Sequence, residues 1–457
     1  MMNHSNPILR IIIIGNGIAG STAARYIRKY SHHDITMISG ESEYPYARTA
    51  LMYVYMGHMT FEHTKMYEDD FWAKNRIGRI KAVVKEILPT NHQIILQDNT
   101  ALTYDKLVIA TGSKFNTFGW PGQELNGVQG LYSLEDLHNM ESKTSRGIDR
   151  AVIVGGGLIG IEMAEMFHSR KIPVTMLVRE KSFWNTVLPY EESNMINHHL
   201  LAHGIDLKLN EELVEIKGKE GKVSAVQCKN SAEELPCQFV GLTVGVHPNV
   251  ELLQSTDIEV NKGVLVNEYL ETSSKDIYAI GDCAELIQPD TKRKSIEAVW
   301  YAGRQMGQTV AKTICGETTK YHQGVWYNSA KFFDIEYQTY GEIPVRASEQ
   351  IQSLYWQHPT ENKSIRINFD KKTKAVTGFN LMGIRYRQEV CVSWIEQKTN
   401  IEEVLSNLSL ANFDPEFYDI YENHMVALYN QIEGSPVSIK PKRKWYSLKQ
   451  LFTLNLF

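Results

Sequence analysis

Ile11-Ile12-Ile13-Ile14-Gly15-Asn16-Gly17-Ile18-Ala19-Gly20 decides the fold. The four isoleucines read as a short strand buried on both faces. The glycine turn follows at once, and Ser21-Thr22-Ala23-Ala24-Arg25 opens a helical pattern. Gly15 allows the tight turn, Gly17 lets a pyrophosphate approach the backbone, and Gly20 lets the helix pack closely on the strand. The free N–H groups at the helix start then face the phosphates. The pattern recurs: Ala151-Val152-Ile153-Val154 runs into Gly155-Gly156-Gly157-Leu158-Ile159-Gly160 and then Ile161-Glu162. Two strand-anchored copies in one chain imply two dinucleotides.

With 457 residues the chain exceeds one core, and 43% hydrophobic with 22% charged residues is an ordinary globular composition. A net charge of −5 argues against nucleic-acid binding. The start of the chain has no apolar run long enough for a membrane span and no signal-peptide pattern, so a cytoplasmic location is expected. Cys228, Cys237, Cys283, Cys315 and Cys391 form no Cys-x-x-Cys pair, which removes the obvious dithiol centre.

Further along, Asp34 to Ile38 reads as the second strand. An acid near its end should accept from a ribose hydroxyl, and Glu41, about twenty residues beyond Gly20, is the first candidate, ahead of Glu43. Arg48 follows Tyr44-Pro45-Tyr46, where it could meet a diphosphate. Lys81 to Ile87 and Gln93 to Leu96 look like a small antiparallel insertion. Leu107 to Ala110 is another buried strand, and it ends in Thr111-Gly112, a small-residue turn that admits a ligand. In the second nucleotide unit the strand Val174 to Val178 is followed by Arg179, which suits the 2′-phosphate of NADPH, and by Glu180, which competes as a ribose acid for NADH. The reading leans to NADPH. Leu207 to Phe239 looks like a β-meander, and Val240 to Asn249 a strand and a turn. Tyr278-Ala279-Ile280-Gly281-Asp282 delivers a fixed carboxylate, and Ser295 to Gly316 reads as a helix whose start carries Glu297, Trp300 and Tyr301. Lys331 to Gly341, Ile365 to Phe369 and Val376 to Phe379 alternate as antiparallel strands, with helices over Glu389 to Lys398 and Ile401 to Leu408. Lys440, Lys442, Arg443 and Lys444 precede an apolar stripe from Trp445 to Phe457, which suits an anionic membrane surface or a partner.

From Ile8 to about Phe413 the chain resembles the FAD-dependent pyridine-nucleotide reductases of the two-dinucleotide-binding-domain flavoprotein class. Within that class it is similar to the non-disulfide branch of rubredoxin and ferredoxin reductases, apoptosis-inducing factor and the nitrite-reductase flavin domain. The marks are the two glycine turns, Ala110-Thr111-Gly112, Thr243 to Asn249, and Tyr278 to Glu285. The resemblance implies an α/β fold with two Rossmann-like domains and an α+β C-terminal domain. It implies an FAD-binding domain over 1–118 and 245–322, an NAD(P)H-binding domain over 119–244, a C-terminal domain over 323–430 and a tail over 431–457.

Carried over by position, Gly15, Gly17, Gly20, Glu41, Arg48, Thr111, Gly112 and Asp282 would hold FAD. Gly155, Gly157, Gly160, Glu162 and Arg179 would hold NADPH or NADH, with Glu162 beside the nicotinamide amide. Glu297 and Trp300 would flank the isoalloxazine, so Glu162 and Trp300 are the catalytic candidates. Ile18, Ala19, Val83, Ala110, Ile159, Gly245, Gly281 and Ala298 complete the implied cofactor-binding set. Leu51 to Met56 has no cysteine where the disulfide reductases carry theirs, and Tyr53 stands where ferredoxin reductases often carry a lysine. The implied reaction takes hydride from NAD(P)H to flavin and sends electrons to a small redox carrier protein. A quinone, reached from a membrane surface through the tail, is the second acceptor. A redox-responsive binding module with slow turnover is the third reading. The resemblance also allows a homodimer.

Overall fold

The computed structural model describes residues 7–231, 234–414, 416–417, 419–434 and 436–440. The chain divides into two compact units, residues 1–185 with 193–324, and residues 186–192 with 325–457.

The first unit holds two five-stranded parallel sheets. In one, the order is Ile277–Ala279, Lys106–Ile109, Arg10–Ile14, Asp34–Ser39, Ile77–Lys81. Ile11 to Ile14 are at most 6% exposed, as the isoleucine run predicts for a central parallel strand. The helix Ile18–Tyr30 packs on this sheet and on the helix Trp300–Ile314, where Gly307 lets the two helix backbones meet. The other sheet runs Asp206–Leu209, Val174–Val178, Ala151–Val154, Phe239–Leu242, Val128–Gln129. Each sheet thus places its glycine turn at the carboxyl end of its central strand, the standard ligand position in doubly wound folds.

Several boundaries differ from expectation. Ile77–Lys81 is the fifth strand of the first sheet, pairing in parallel with Ile35 to Ser39, so the antiparallel insertion begins only at Val84. It has three strands, Val84–Leu88, Gln93–Leu96 and Ala101–Thr103. The expected meander shrinks to Leu213–Lys219, Lys222–Cys228 and Leu235–Pro236, because Asp206–Leu209 and Phe239–Leu242 join the parallel sheet instead. His247 lies in a short strand, Val246–Pro248, which pairs with Ser113–Phe115. The helix expected from Ser295 begins only at Trp300, and Val299 before it is extended.

The second unit contains an antiparallel sheet in the order Tyr327–Phe332, Ile335–Gly341, Val376–Met382, Ser364–Asp370, Ile351–Gln357. Helices Gln388–Glu396, Ile401–Ser406 and Glu422–Glu433 pack on it around Phe369, Phe379, Leu405 and Tyr429. What reads in sequence as one strand from Lys331 to Gly341 is a hairpin, turned at Phe333 with φ 56°. Within this unit Glu192, fully buried, takes two bonds from Arg366 at 2.7 and 2.8 Å and one from Asn380 at 3.1 Å. The basic stripe beyond Lys440 lies outside the described residues.

Candidate functional site: a dinucleotide cleft

The first glycine turn is built by steric exclusion. Gly15 has φ 109°, and a Cβ there would lie 2.0 Å from the Ala110 carbonyl oxygen. A Cβ on Gly20 would lie 2.0 Å from the Gly15 carbonyl oxygen. Gly17 is different, with nothing within 4 Å of its Cβ position. The middle glycine therefore leaves open space where a diphosphate would approach, while its neighbours hold strand and helix together. Asn16 pins the turn by donating to the Ser42 carbonyl at 2.8 Å.

A cleft of about 760 Å³ opens over the carboxyl ends of the first sheet. It brings together Gly15, Gly17, Ile18, Ala19, Glu41, Arg48, Val83, Ala110, Thr111, Gly112, Gly281, Asp282 and Ala298, and also Ile159, Glu162 and Trp300. Gly20 lies behind the turn. Glu297 stands apart from the expectation that it flanks a ring. Its carboxylate takes Arg293 at 2.7 Å through each oxygen, it is 6% exposed, and it is not on the cleft wall. The late helix start explains this: Ala298, Val299 and Trp300 take the wall instead.

The glycines of the second turn lie off the wall of this cleft, while Ile159 and Glu162 beside them are on it. Gly155, with φ 119°, abuts the Thr243 carbonyl, and Gly160 abuts the Gly155 carbonyl, each with its Cβ position 2.6 Å from the oxygen. Only the Trp184 indole nitrogen, at 4.0 Å, is near the Cβ position of Gly157. Gly245 lies off the cleft wall, its Cβ position 3.3 Å from Asn116 Nδ2. Arg179, 72% exposed in its side chain, donates to Glu180 at 2.9 and 3.3 Å.

Two of the cleft acids, Glu41 and Glu162, differ in electrostatics. Burial alone would raise the Glu41 carboxyl. Arg48, donating at 3.0 and 2.6 Å, outweighs that with help from the Tyr46 hydroxyl and the Leu134 amide at 2.7 Å, and holds it below the usual range. Arg48 is thus engaged by Glu41 and by the Tyr132 carbonyl. Glu162 goes the other way: burial, then the nearby Glu165, pushes its carboxyl up to about 7. A folded-state value above the ordinary 4.5 means that stability is lost as pH rises from about 4.5 through about 7. Glu162→Gln should therefore raise the unfolding midpoint relative to wild type at pH 8 but not at pH 4, measured by thermal melts. An equal gain at both pH values would remove the charge as the cause.

Sequence reasoning missed Tyr46, Tyr132 and Ser113 as site residues. Tyr46 stood two residues from Arg48. Tyr132 carried no local signal, since its partners Arg48 and Asp282 lie 84 and 150 residues away.

The profile of the pyridine nucleotide-disulphide oxidoreductase family matches residues 9–307. The chain belongs to that family. Rubredoxin-NAD(+) reductase of Pseudomonas putida is 32% identical, over 68% of this chain and 81% of that protein. An NADH oxidase of Methanocaldococcus jannaschii is 30% identical, over 72% of this chain and 75% of that protein. Among solved structures, an NAD-dependent persulfide reductase from A. fulgidus has the same fold, with TM-score 0.82 and 22% identity, over 96% of this chain and 89% of that one. The protein is an oxidoreductase that uses FAD and NAD(P)H. The glycine turns fit those groups: Gly17 and Gly157 leave room at the two positions where a diphosphate would lie. Despite the family's name, its five cysteines are all free, four of them buried, and the helix Leu51–Tyr55 has none.

Proposed function

We propose that this flavoprotein takes reducing equivalents from NADPH and delivers them to a small redox carrier protein. FAD, when bound, supplies the chemistry that accepts a hydride and releases single electrons. The chain's own residues hold and orient. Gly15, Gly17 and the N-terminus of the helix Ile18–Tyr30 would cradle the FAD diphosphate, Glu41 its ribose and Asp282 its ribitol. Gly155, Gly157 and Gly160 would hold the nicotinamide coenzyme, with Glu162 orienting its amide and Trp300 covering the ring. Arg179 would read the 2′-phosphate. The domain scheme of 1–118 with 245–322, 119–244 and 323–430 is supported by which strands join which sheet, save that residues 186–192 group with 325–457.

One observation carries the choice of acceptor: the helix Leu51–Tyr55, which contributes Leu51 and Met52 to the cleft wall, offers no thiol to receive electrons. Burial pushes the Cys283 thiol up, so that residue is a poor substitute. The names of the Pseudomonas relative and of similar ferredoxin reductases point to the same class of acceptor. Stopped-flow mixing tests this. Holoenzyme reduced by NADPH should be reoxidised rapidly by a rubredoxin or a [2Fe–2S] ferredoxin. Rapid reoxidation by a quinone alone would transfer the proposal to the membrane-peripheral reading, for which the basic tail is the motive. Slow reoxidation by every carrier and quinone would favour the binding-module reading. No helix among the described residues is long and apolar enough to cross a membrane. Cytoplasmic location, membrane contact through the tail and a homodimer remain parts of the proposal.

A further inference from the structure

We propose that Tyr132 is a positioning residue for the flavin cleft, a single side chain that fixes the Asp282 carboxylate at one end and the Arg48–Glu41 pair at the other. The inference rests on the reading that this cleft holds FAD.

Every polar group of Tyr132 is used, and two of its partners, Asp282 and Arg48, line the cleft. Its hydroxyl accepts from the Ser113 amide at 2.9 Å and donates to Asp282 Oδ2 at 3.2 Å. The Ser113 hydroxyl donates to the same oxygen at 3.3 Å. Both bonds fall on Oδ2, so Oδ1 is the oxygen left to accept from a ligand in the cleft that Asp282 lines. At the other end, the Tyr132 carbonyl accepts from Arg48, whose guanidinium lies 4.5 Å from the centre of the tyrosine ring. Arg48 in turn carries Glu41. Behind the ring, Asp136 accepts from the amides of Tyr132 and Ser133 at 2.9 and 2.8 Å, which ties the segment to the capped start of the helix Leu134–Thr144.

Gly112 supports the same conclusion. Its φ is 70°, and a Cβ there would lie 2.8 Å from the Tyr132 hydroxyl. The small residue after Thr111 therefore makes room for this tyrosine as well as for a ligand. A tyrosine needed only for packing would not require its hydroxyl to occupy a notch left by a glycine beside a buried carboxylate.

The arrangement has a proton-linked consequence. Burial pushes the Asp282 carboxyl upward, and the Tyr132 and Ser113 hydroxyls pull it down, with Arg48 acting in the same direction from beyond the ring. The Cys283 thiol, next in the chain, is itself pushed up by burial. Without the tyrosine hydroxyl, Asp282 takes up its proton at higher pH and loses its capacity to accept at both oxygens.

Flavin release from the holoenzyme, followed by the fluorescence of free FAD against pH, tests this. For Tyr132→Phe the acid limb of release should move up by about one pH unit, the tenfold equivalent of one hydrogen bond to a charged group. Ser113→Ala should move it the same way by less, and carries the test if Tyr132→Phe does not fold. In an Asp282→Asn background, Tyr132→Phe should add no further shift. Superimposable profiles for wild type and Tyr132→Phe, with Asp282→Asn alone releasing flavin faster, would overturn the role of Tyr132 and spare the reading of the cleft. Unchanged release in Asp282→Asn as well would overturn both.

Discussion

Gly20→Ala should give a colourless protein. Its new Cβ would sit 2.0 Å from the Gly15 carbonyl oxygen and 3.1 Å from Ile13 Cγ2. The first of these atoms is backbone, held in place by the Gly15 amide donating to the Ile38 carbonyl at 2.8 Å, so it cannot swing aside as a flexible side chain would. Helix Ile18–Tyr30 must then lift from the sheet. Overpacking of this kind costs about 1–3 kcal/mol, and more where backbone has to move. Both the melting temperature and the ratio of flavin to protein absorbance should fall. Gly17→Ala is the matched comparison. Its Cβ meets nothing within 4 Å, so the fold should keep its stability while FAD binding weakens through the blocked diphosphate approach. Full flavin content in Gly20→Ala would show that close approach of helix and strand does not shape the site.

Arg179→Glu should reverse coenzyme preference. A charge-assisted bond to a 2′-phosphate is worth about 1.5–3 kcal/mol, so kcat/KM for NADPH should fall by about 10- to 100-fold, with repulsion from the new carboxylate adding to the loss. NADH, which lacks that phosphate, should be affected little. The existing ion pair with Glu180 matters here, because Arg179 must release Glu180 to engage the phosphate fully. Glu180→Gln should accordingly improve NADPH use. An NADPH/NADH ratio of rates that stays constant in Arg179→Glu would take Arg179 out of the site.

The parts of this architecture that sequence made visible are those set by local backbone demands. Gly15 and Gly155 adopt φ values that L-residues rarely reach, and buried β-branched runs precede both. Gly281 before Asp282 belongs to the same class, with φ 74°. What escaped depends on partners far along the chain or on exceptions to turn chemistry. The family resemblance carries Glu297 over to a place beside a ring, whereas its bidentate pairing with Arg293 holds it off the cleft wall. The hairpin at Phe333 lacks glycine and proline, and Phe332 and Phe333 are both buried, so the turn looks like continuous strand. Asp206–Leu209 reads as meander because a four-residue edge strand has no pattern to separate it from the antiparallel pair that follows.

Residues 186–192 carry one more implication. They leave the first unit, join the second, and return, so the polypeptide passes between the two bodies at 185–186, 192–193 and 324–325. A lone nick by a protease at any one of these places leaves the other two strands of connection intact. Residues 325–457 are thus no detachable appendage: cutting them away would strip Glu192, left on the remaining chain, of the Arg366 guanidinium that pairs with it.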